Sequence, residues 1–271
     1  VHVHCINAST MNVYSLLEYL GKTGIKTVVT LHAEFFFTGG CSHSYECLQW
    51  VDGCKKCDVY KKVVSSWFFD RAETSWKKMY NAFSYFKPEN IKIVAVSPWL
   101  EVRAKRASIL KRFDVRCVFN GVNTKIFQLN GISTKHLEHN HNRINILFVT
   151  AYFSTSISDS KGGGYLVELA KICPEYNFII VSRRFDPNNG PLPNNVKIYG
   201  STNNQRELAE LYSEADLSIT LGKRETFSMI VAESLCCGTP IVGFQAGGPE
   251  SIGLPDCSRF VRNGDINGLK S

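Results

Sequence analysis

Short apolar runs alternate with amphipathic stretches along this chain, and this pattern predicts strands alternating with helices. Residues 1–5 form a first apolar strand, and apolar positions at helical spacing over 9–22 predict a helix that ends at Gly21 or Gly24. The β-branched run 25–31 is the next predicted strand. Strand, helix and strand in this order predict a parallel sheet with right-handed crossovers.

The same alternation runs through the rest of the chain, interrupted by one polar, glycine-containing segment. A Cys-rich loop over 35–58 is followed by basic helical segments over 60–86. Further strands are predicted at 91–96, 116–119, 144–150, 178–181, 196–199 and 217–220. Further helices are predicted from Ser97-Pro98 onward and at 165–173 and 205–215. We therefore predict an α/β fold of two Rossmann-like domains, 1–127 and 143–271, joined by a linker over 128–142.

Two carboxylates flank the start of a short predicted helix in the second half of the chain. Ser228 can cap this helix, Gly238 suits the left-handed position after its end, and Pro240 blocks continuation. Glu225 lies at the mouth of the helix, and Glu233 lies about 12 Å further along at ~1.5 Å per residue. That separation suits a long polyhydroxyl ligand with one carboxylate near each end.

The backbone around this helix suits an anionic ligand. The amides of Phe227, Ser228 and Met229 face the helix mouth, where the helix dipole favours a group such as a diphosphate. Gly247 and Gly248 follow a buried strand over 241–244 and predict a loop that lets backbone approach a ligand.

These residues closely resemble the Glu-x7-Glu signature of retaining glycosyltransferases with the GT-B fold, in particular family 4. The resemblance implies two Rossmann-like domains with parallel sheets facing a cleft. It also implies that Glu225 contacts a donor sugar, while Glu233 holds the ribose of a nucleotide-diphosphate sugar. A complete enzyme of this family carries a strand and glycine-rich loop before the position of Val1 and a helical stretch after Ser271, so we expect the chain to be truncated at both ends.

Lys161 and the three glycines after it resemble the Lys-Gly element whose Lys binds the donor phosphates in that family. Many members place an Arg a few residues earlier, but residues 151–160 of this chain contain no basic residue. Either Arg183 or Arg184 takes the place of the family's Arg, or this chain binds the donor phosphates more weakly than those members do. Because Lys161 and helix dipoles can carry the diphosphate charge, we expect no cofactor to be required for catalysis.

His32 closes the predicted strand over 25–31 and resembles a family 4 His at this strand end. The resemblance implies that His32 contacts the donor sugar across the cleft and supports developing positive charge. A related subgroup has Asp after this His, whereas Ala33 and Glu34 follow it here. The role of a following carboxylate is therefore left open.

Four cysteines lie within seventeen residues of the predicted loop over 35–58, namely Cys41, Cys47, Cys54 and Cys57. Their spacing suits a tetrahedral structural zinc site, and the final C-x2-C pair gives the usual chelate geometry. Buried thiols or disulfides are the alternatives. The loop also resembles a subgroup of family 4 enzymes from cell-surface polysaccharide clusters.

Composition and charge limit the classes of binding partner that we expect. The net charge is +7, and residues 55–112 contain fourteen Lys and Arg against five Asp and Glu. No zinc-finger, helix-turn-helix or RNP-type motif accompanies this basic region, so we expect no nucleic acid partner. A solvated basic face or contact with anionic lipid head groups explains it, and the resemblance favours the lipids. No apolar run spans a bilayer and the cysteines are scattered, so we expect a cytoplasmic protein, peripheral at the inner face of the membrane.

Together these features predict a retaining glycosyltransferase that moves a sugar from a nucleotide-diphosphate sugar to a polysaccharide or lipid-linked acceptor. The resemblance suggests a part in exopolysaccharide, capsule or lipopolysaccharide assembly. The alternative from another class is a non-catalytic protein, either a sugar-nucleotide-binding remnant or an interaction module with a zinc-binding Cys loop. A Rossmann-type dehydrogenase is disfavoured because no G-x-G-x-x-G follows the first strand.

Overall fold

The computed structural model describes residues 1–4, 11–57, 60, 69–129, 136–137 and 143–271. The chain divides into two compact units, Val1–Asn120 and Gly121–Ser271. The division precedes the predicted boundary at Phe127, because Phe127 is buried in the second unit with its ring 6.4 Å from that of Tyr212. Within the predicted linker, Leu137 is also buried in the second unit, whereas 130–135 and 138–142 lie outside the described residues.

The first unit contains four strands and three helices among its described residues. The strands are β1 (His2–Val3), β2 (Thr27–Leu31), β3 (Ile91–Ala95) and β4 (Asp114–Cys117), and the helices are α1 (Val13–Thr23), α2 (Ala72–Ser84) and α3 (Pro98–Arg106). Short 3-10 turns cover Glu34–Phe37, Gln49–Val51 and Pro88–Asn90. The strands are all parallel and lie side by side in the order β1-β2-β3-β4.

Caps fix two of these helices. Asn12 Oδ1 accepts hydrogen bonds from the amides of Tyr14 (3.1 Å) and Ser15 (3.2 Å), so α1 begins later than the predicted start at residue 9, which lies outside the described residues. The helix ends at Gly24, which has the left-handed φ of 69° that the sequence predicts. Ser97 Oγ accepts from the amide of Leu100 at 3.2 Å and caps α3, as expected before Pro98.

The second unit contains six strands and five helices in its described part. The strands are β5 (Asn145–Thr150), β6 (Asn177–Ser182), β7 (Val196–Gly200), β8 (Leu217–Thr220), β9 (Ile241–Phe244) and β10 (Ser258–Val261). The helices are α4 (Gly163–Ile172), α5 (Gln205–Glu214), α6 (Met229–Cys236), α7 (Gly248–Ile252) and α8 (Ile266–Lys270). The parallel strands lie in the order β7-β6-β5-β8-β9-β10, which is the strand order of a Rossmann sheet.

Helices cover both faces of this second sheet, as parallel sheets require. Along β5, Ile146 and Phe148 pack into one apolar core while Leu147 packs into the other. Leu166 on α4 belongs to the first core, and Leu211 on α5 belongs to the second. This two-sided burial explains why the central strands read as continuous apolar runs in the sequence.

The C-terminal segment differs from its prediction in detail. The sequence of 260–271 predicts the start of a helix, but the structure places β10 at 258–261 and begins α8 only at Ile266. Asp265 caps α8, its Oδ1 accepting from the amide of Gly268 at 2.9 Å. Among the described residues, no helix is both long enough and apolar enough to cross a membrane.

Candidate functional site

The point where strand order reverses in the second sheet lies between β5 and β8. At such a point the loops leave adjacent strands in opposite directions and open a crevice beyond their carboxyl ends. Lys161 follows β5 and Glu225 follows β8, and the structure brings the two together with Lys161 Nζ 2.7 Å from Glu225 Oε1. The pair is part-exposed, with 41% of the Lys161 side chain and 26% of the Glu225 side chain accessible.

The glycines after Lys161 are required by close packing. Gly162 has a left-handed φ of 84°, and a Cβ there would lie 2.1 Å from the carbonyl oxygen of Leu221. The carboxylate of Asp159 accepts from the amides of Lys161 (2.9 Å) and Gly162 (3.1 Å). The loop after β5 therefore rests directly on the loop after β8, and this contact aims Lys161 at Glu225.

Glu225 is held through its backbone by the predicted glycine loop. Its amide donates to Ala246 O at 3.0 Å, and its carbonyl accepts from the amide of Gly248 at 2.8 Å. The amide of Gly247 donates to the carboxylate of Glu250 at 2.8 Å. Both glycine amides thus donate within the protein, and the loop positions Glu225; that the loop also lets backbone approach a ligand stays a prediction.

The start of α6 corrects one expectation. Ser228 stands at the N-cap position, but its side chain makes no capping hydrogen bond, and its φ of 80° lies in the region that favours glycine. Within the described chain, the amides of Ser228 and Met229 make no backbone hydrogen bond, so both are available for the predicted contact with an anion. The side chain of the preceding residue, Phe227, is buried, with 5% of its surface exposed. Gly238 has the predicted left-handed φ of 81° after the end of α6.

Glu233 lies one helix turn inside α6, and its carboxylate is largely buried. Burial raises the pKa of Glu233 to about 7, and the Tyr212 hydroxyl, which donates to Oε2 at 3.4 Å, opposes part of that rise. Tyr212 is completely buried on α5, and its own pKa is raised by burial and by Glu233, so it remains a neutral donor. Sequence reasoning missed Tyr212 because only the packing of α5 on α6 brings it to Glu233.

Arg183 and Arg184 follow β6, the strand next to β5, at the same edge of the sheet as Lys161. Their side chains are exposed and, within the described chain, form no hydrogen bond or ion pair. The Arg184 backbone is fixed, since its carbonyl accepts from the amide of Phe153 at 2.9 Å. Both guanidinium groups are therefore available to an anion at this edge.

Comparison with known proteins gives this arrangement a family. Residues 151–256 match the family Glycosyl transferases group 1. The chain carries a glycosyl transferases group 1 domain. The matched range includes Lys161, Glu225 and Glu233, together with the Gly247-Gly248 loop.

Individual proteins of similar sequence or structure extend this family match. A stretch of 66 residues is 35% identical to N-acetyl-alpha-D-glucosaminyl L-malate synthase of Bacillus anthracis, covering 24% of this chain and 17% of that protein. Sucrose-phosphate synthase from Thermosynechococcus elongatus superposes with a TM-score of 0.62 at 21% identity, over 90% of this chain and 56% of that one. HepE from Anabaena in complex with UDP gives a TM-score of 0.61 at 14% identity, over 99% and 66%. The chain thus spans less than two thirds of these relatives, and the likeness shows a GT-B fold.

Outside the group 1 domain, the first unit places His32 at the carboxyl end of β2. Its Nε2 lies 3.0 Å from Nδ1 of His4, which follows β1. Burial lowers the pKa of His32, and the neighbouring His4 and His2 lower it further. His32 is therefore a neutral ring near pH 7, and its role toward a sugar stays a prediction.

The four cysteines of the predicted zinc site lie in one neighbourhood of the first unit. Burial raises the pKa of Cys41 to about 11 and that of Cys54 to about 12. Cys54 Sγ accepts a hydrogen bond from the amide of Gly39 at 3.2 Å, and none of the described cysteines forms a disulfide. Among the described side chains, no group of three or more His, Cys, Asp or Glu is placed to hold a metal ion, and the zinc site at these cysteines stays a prediction.

A buried ion pair fastens this loop to the unit. The carboxylate of Glu34 is fully buried and accepts from Arg103 Nε and from the amide of Ser44. The Arg103 guanidinium also lies over the rings of Trp50 at 4.4 Å and Trp99 at 4.8 Å. The carboxylate that follows His32 in the sequence therefore has a structural role.

Proposed function

We propose that this chain is the donor-binding part, with adjoining first-unit residues, of a retaining glycosyltransferase that uses a nucleotide-diphosphate sugar. The observation that carries the proposal is the meeting of Lys161 and Glu225 at the switch point of a Rossmann sheet. A cation beside a carboxylate there gives a diphosphate and a sugar hydroxyl neighbouring partners. The matched family and the UDP complex of HepE support this class of ligand.

The charged residues and the free amides of the predicted site then have separate tasks. Lys161 and the amides of Ser228 and Met229 stabilise the departing diphosphate, with Arg183 and Arg184 as further cations. Glu225 accepts hydrogen bonds from sugar hydroxyl groups. The Glu233 carboxylate accepts from the ribose hydroxyls. Because these groups carry the diphosphate charge, the proposed reaction requires no further cofactor.

His32 contacts the sugar and, as a neutral ring, does not repel the positive charge that develops at the anomeric carbon. We propose retention of configuration because no carboxylate is assigned as a nucleophile and the leaving diphosphate can accept the proton of the acceptor hydroxyl on the same face. The anomeric proton coupling of the product, read by NMR, distinguishes retention from inversion.

The test of donor binding is a calorimetric titration of the chain with UDP, GDP and ADP. Glu233→Ala removes the ribose acceptor, and Glu168→Ala, on the exposed face of α4, is the matched control. We expect saturable binding of one nucleotide that is lost in Glu233→Ala and kept in Glu168→Ala. Absence of binding by all three nucleotides would reject the proposed site and favour a non-catalytic interaction module.

For the acceptor we propose a glycan or lipid-linked molecule presented at an anionic membrane surface, reached from the cytoplasmic side. Lys77, which pairs with Glu73, and Lys78 are exposed on α2, and the rings of Tyr80 on the same helix and of Phe69 just before it are exposed as well. Cations beside aromatic side chains suit the head-group region of an anionic bilayer. The protein should sediment together with vesicles that contain phosphatidylglycerol. The double variant Lys77→Glu with Lys78→Glu should stay in the supernatant. Equal binding to neutral phosphatidylcholine vesicles would reject the contact.

A further inference from the structure

The carboxylate of Glu233 is held from one side by a buried tyrosine. The Tyr212 side chain is fully buried in the apolar core that also contains Leu147 and Ile179. Its hydroxyl donates to Glu233 Oε2 at 3.4 Å. Glu233 Oε1 makes no hydrogen bond with the described part of the chain, so one carboxylate oxygen is engaged and the other is open.

The backbone of Tyr212 is fixed to the same helix that carries Glu233. The Tyr212 carbonyl oxygen accepts a hydrogen bond from the hydroxyl of Thr239. Thr239 is bound to α6 in turn, because its amide donates to Ser234 O at 3.0 Å and its carbonyl accepts from Ser234 Oγ at 2.9 Å. The ends of α5 and α6 are therefore tied together, and this contact holds the tyrosine ring against Glu233.

We propose that Tyr212 is a positioning residue that orients the Glu233 carboxylate toward the ribose of the donor. A carboxylate offers about four acceptor positions, and the Tyr212 hydroxyl occupies one of them on Oε2. The positions on Oε1 are left for the ribose hydroxyl groups. This inference rests on the proposed function, in which Glu233 accepts hydrogen bonds from the ribose.

The bond also favours the form of Glu233 that can accept. Contact between the two side chains is possible in either protonation state of Glu233, but a hydrogen bond to the charged carboxylate is the stronger one. Tyr212 therefore opposes burial, which raises the pKa of Glu233 to about 7. Without the hydroxyl, the pKa of Glu233 should rise further and the carboxylate should lose its fixed direction.

Other titratable groups lie on the elements around Glu233. Helix α6 packs against α5, α7, β8 and β9. The two strands carry no titratable side chain, and Glu250 on α7 accepts from the amides of Ala246 and Gly247. The titratable groups on α5 and at the end of α6 also include Arg206, Glu207, Glu210, Glu214, Cys236 and Cys237. Burial raises the pKa of the Cys237 thiol to about 11, so this thiol is neutral near pH 7.

Three variants separate positioning from simple packing. Tyr212→Phe removes the hydroxyl and keeps the buried ring. Tyr176→Phe is the matched control, since it makes the same chemical change at a partly buried tyrosine that packs on the other apolar core of this unit. Glu233→Gln removes the titrating group and keeps the length of the side chain.

The first readout is a pH titration of the glutamate carboxyl carbons by ¹³C NMR, recorded without any ligand. The Glu233 signal, identified by its absence in Glu233→Gln, should titrate near pH 7 in the wild type and in Tyr176→Phe. In Tyr212→Phe its midpoint should move to higher pH, because the charged form has lost a donor. An unchanged midpoint in Tyr212→Phe would overturn the proposal.

The second readout is the affinity for UDP or GDP, whichever binds, measured by calorimetry at pH 7 and at pH 9. Loss of one hydrogen bond to the charged form should raise the proton affinity of Glu233 about tenfold. Relative to the wild type, Tyr212→Phe should then bind about fivefold more weakly at pH 7 and less than about twofold more weakly at pH 9. Tyr176→Phe should match the wild type at both pH values.

The remaining outcomes are distinguishable. An equal loss of affinity in Tyr212→Phe at pH 7 and pH 9 would indicate a packing effect and contradict the proposal. A wild-type chain that binds neither nucleotide would count against the proposed function, while the carboxyl titration would still decide whether Tyr212 acts on Glu233.

Discussion

Each unit contains one ion pair that fixes a loop, and the two pairs differ in burial and in the number of bonds they make. In the first unit, Glu34 is fully buried and Arg103 is 11% exposed, and aromatic rings and Ser44 complete the contacts. In the second unit, Lys161 and Glu225 are joined by one hydrogen bond at 2.7 Å and remain 41% and 26% exposed.

This difference separates a structural pair from an exchangeable one. A part-exposed ion pair contributes about 0–1 kcal/mol, so a diphosphate can take Lys161 from Glu225 at little cost. Removing one partner of a buried pair leaves an uncompensated charge and costs about 3–5 kcal/mol. A cation–carboxylate pair therefore stabilises the first unit, whereas we propose that the pair in the second unit exchanges with a ligand.

The largest expected effect comes from breaking the buried pair. Glu34→Ala should lower the free energy of unfolding of the first unit by about 3–5 kcal/mol, because Arg103 loses its carboxylate in an apolar setting. All four tryptophans lie before residue 120, so tryptophan fluorescence in a denaturant titration follows this unit alone. Glu101→Ala, which breaks the exposed pair with Lys105, is the control and should change stability by less than about 0.5 kcal/mol. Equal effects of the two changes would remove the distinction between the pairs.

The next effect concerns protonation in the second unit. The pKa of Glu233 is raised to about 7 by burial, and a ribose hydroxyl donating to the carboxylate favours its charged form. Binding therefore releases a proton below this pKa, and affinity for a sugar nucleotide should rise about tenfold from pH 6 to pH 8. Calorimetry with whichever of UDP-glucose and GDP-mannose binds, in two buffers of different ionisation heat, measures both quantities. The pH dependence should disappear in Glu233→Gln; its persistence there would assign it to another group.

A smaller effect tests exchange within the Lys161–Glu225 pair. Glu225→Gln frees Lys161 for the diphosphate, so the affinity for the nucleoside diphosphate alone should rise about fivefold, which is about 1 kcal/mol. The sugar nucleotide should gain less, because the carboxylate acceptor for its hydroxyl groups is lost. Lys161→Ala should weaken both ligands. A weaker affinity of Glu225→Gln for the diphosphate would show that the pair acts as one unit and does not exchange.

Much of the second unit could be predicted from the sequence, since its signals are local. The apolar runs of β5, β8 and β9 mark strands within a residue or two of their observed bounds. The GT-B fold and the group 1 domain that the resemblance implies are confirmed by the comparisons. The roles of Lys161 and Glu225 remain predictions, although their meeting follows from the strand order.

The contacts that the sequence could not predict join distant positions or depend on backbone angles. Tyr212 reaches Glu233 across two helices, and Glu34 reaches Arg103 across 69 residues. The sequence shows that His2 and His4 lie on the same side of β1, but the hydrogen bond from His4 to His32 depends on which strand lies beside β1. The identity of Ser228 suggested a cap, whereas its positive φ follows from how the loop after β8 enters α6.

Ser228 supplies the smallest predicted effect, and it concerns the mouth of the exchangeable site. A non-glycine residue at a φ of 80° is strained by about 1–2 kcal/mol, while glycine loses about 0.5–1 kcal/mol through the greater entropy of the unfolded chain. Ser228→Gly should therefore stabilise the second unit by about 0.5 kcal/mol, measured by circular dichroism in a denaturant titration. Since the Ser228 side chain makes no capping bond, its removal loses no helix cap and widens the approach to the amides of α6. Ser228→Ala, which keeps a Cβ at the same angle, is the control and should not be stabilised; a loss of stability in Ser228→Gly would mean that the hydroxyl makes a compensating contact.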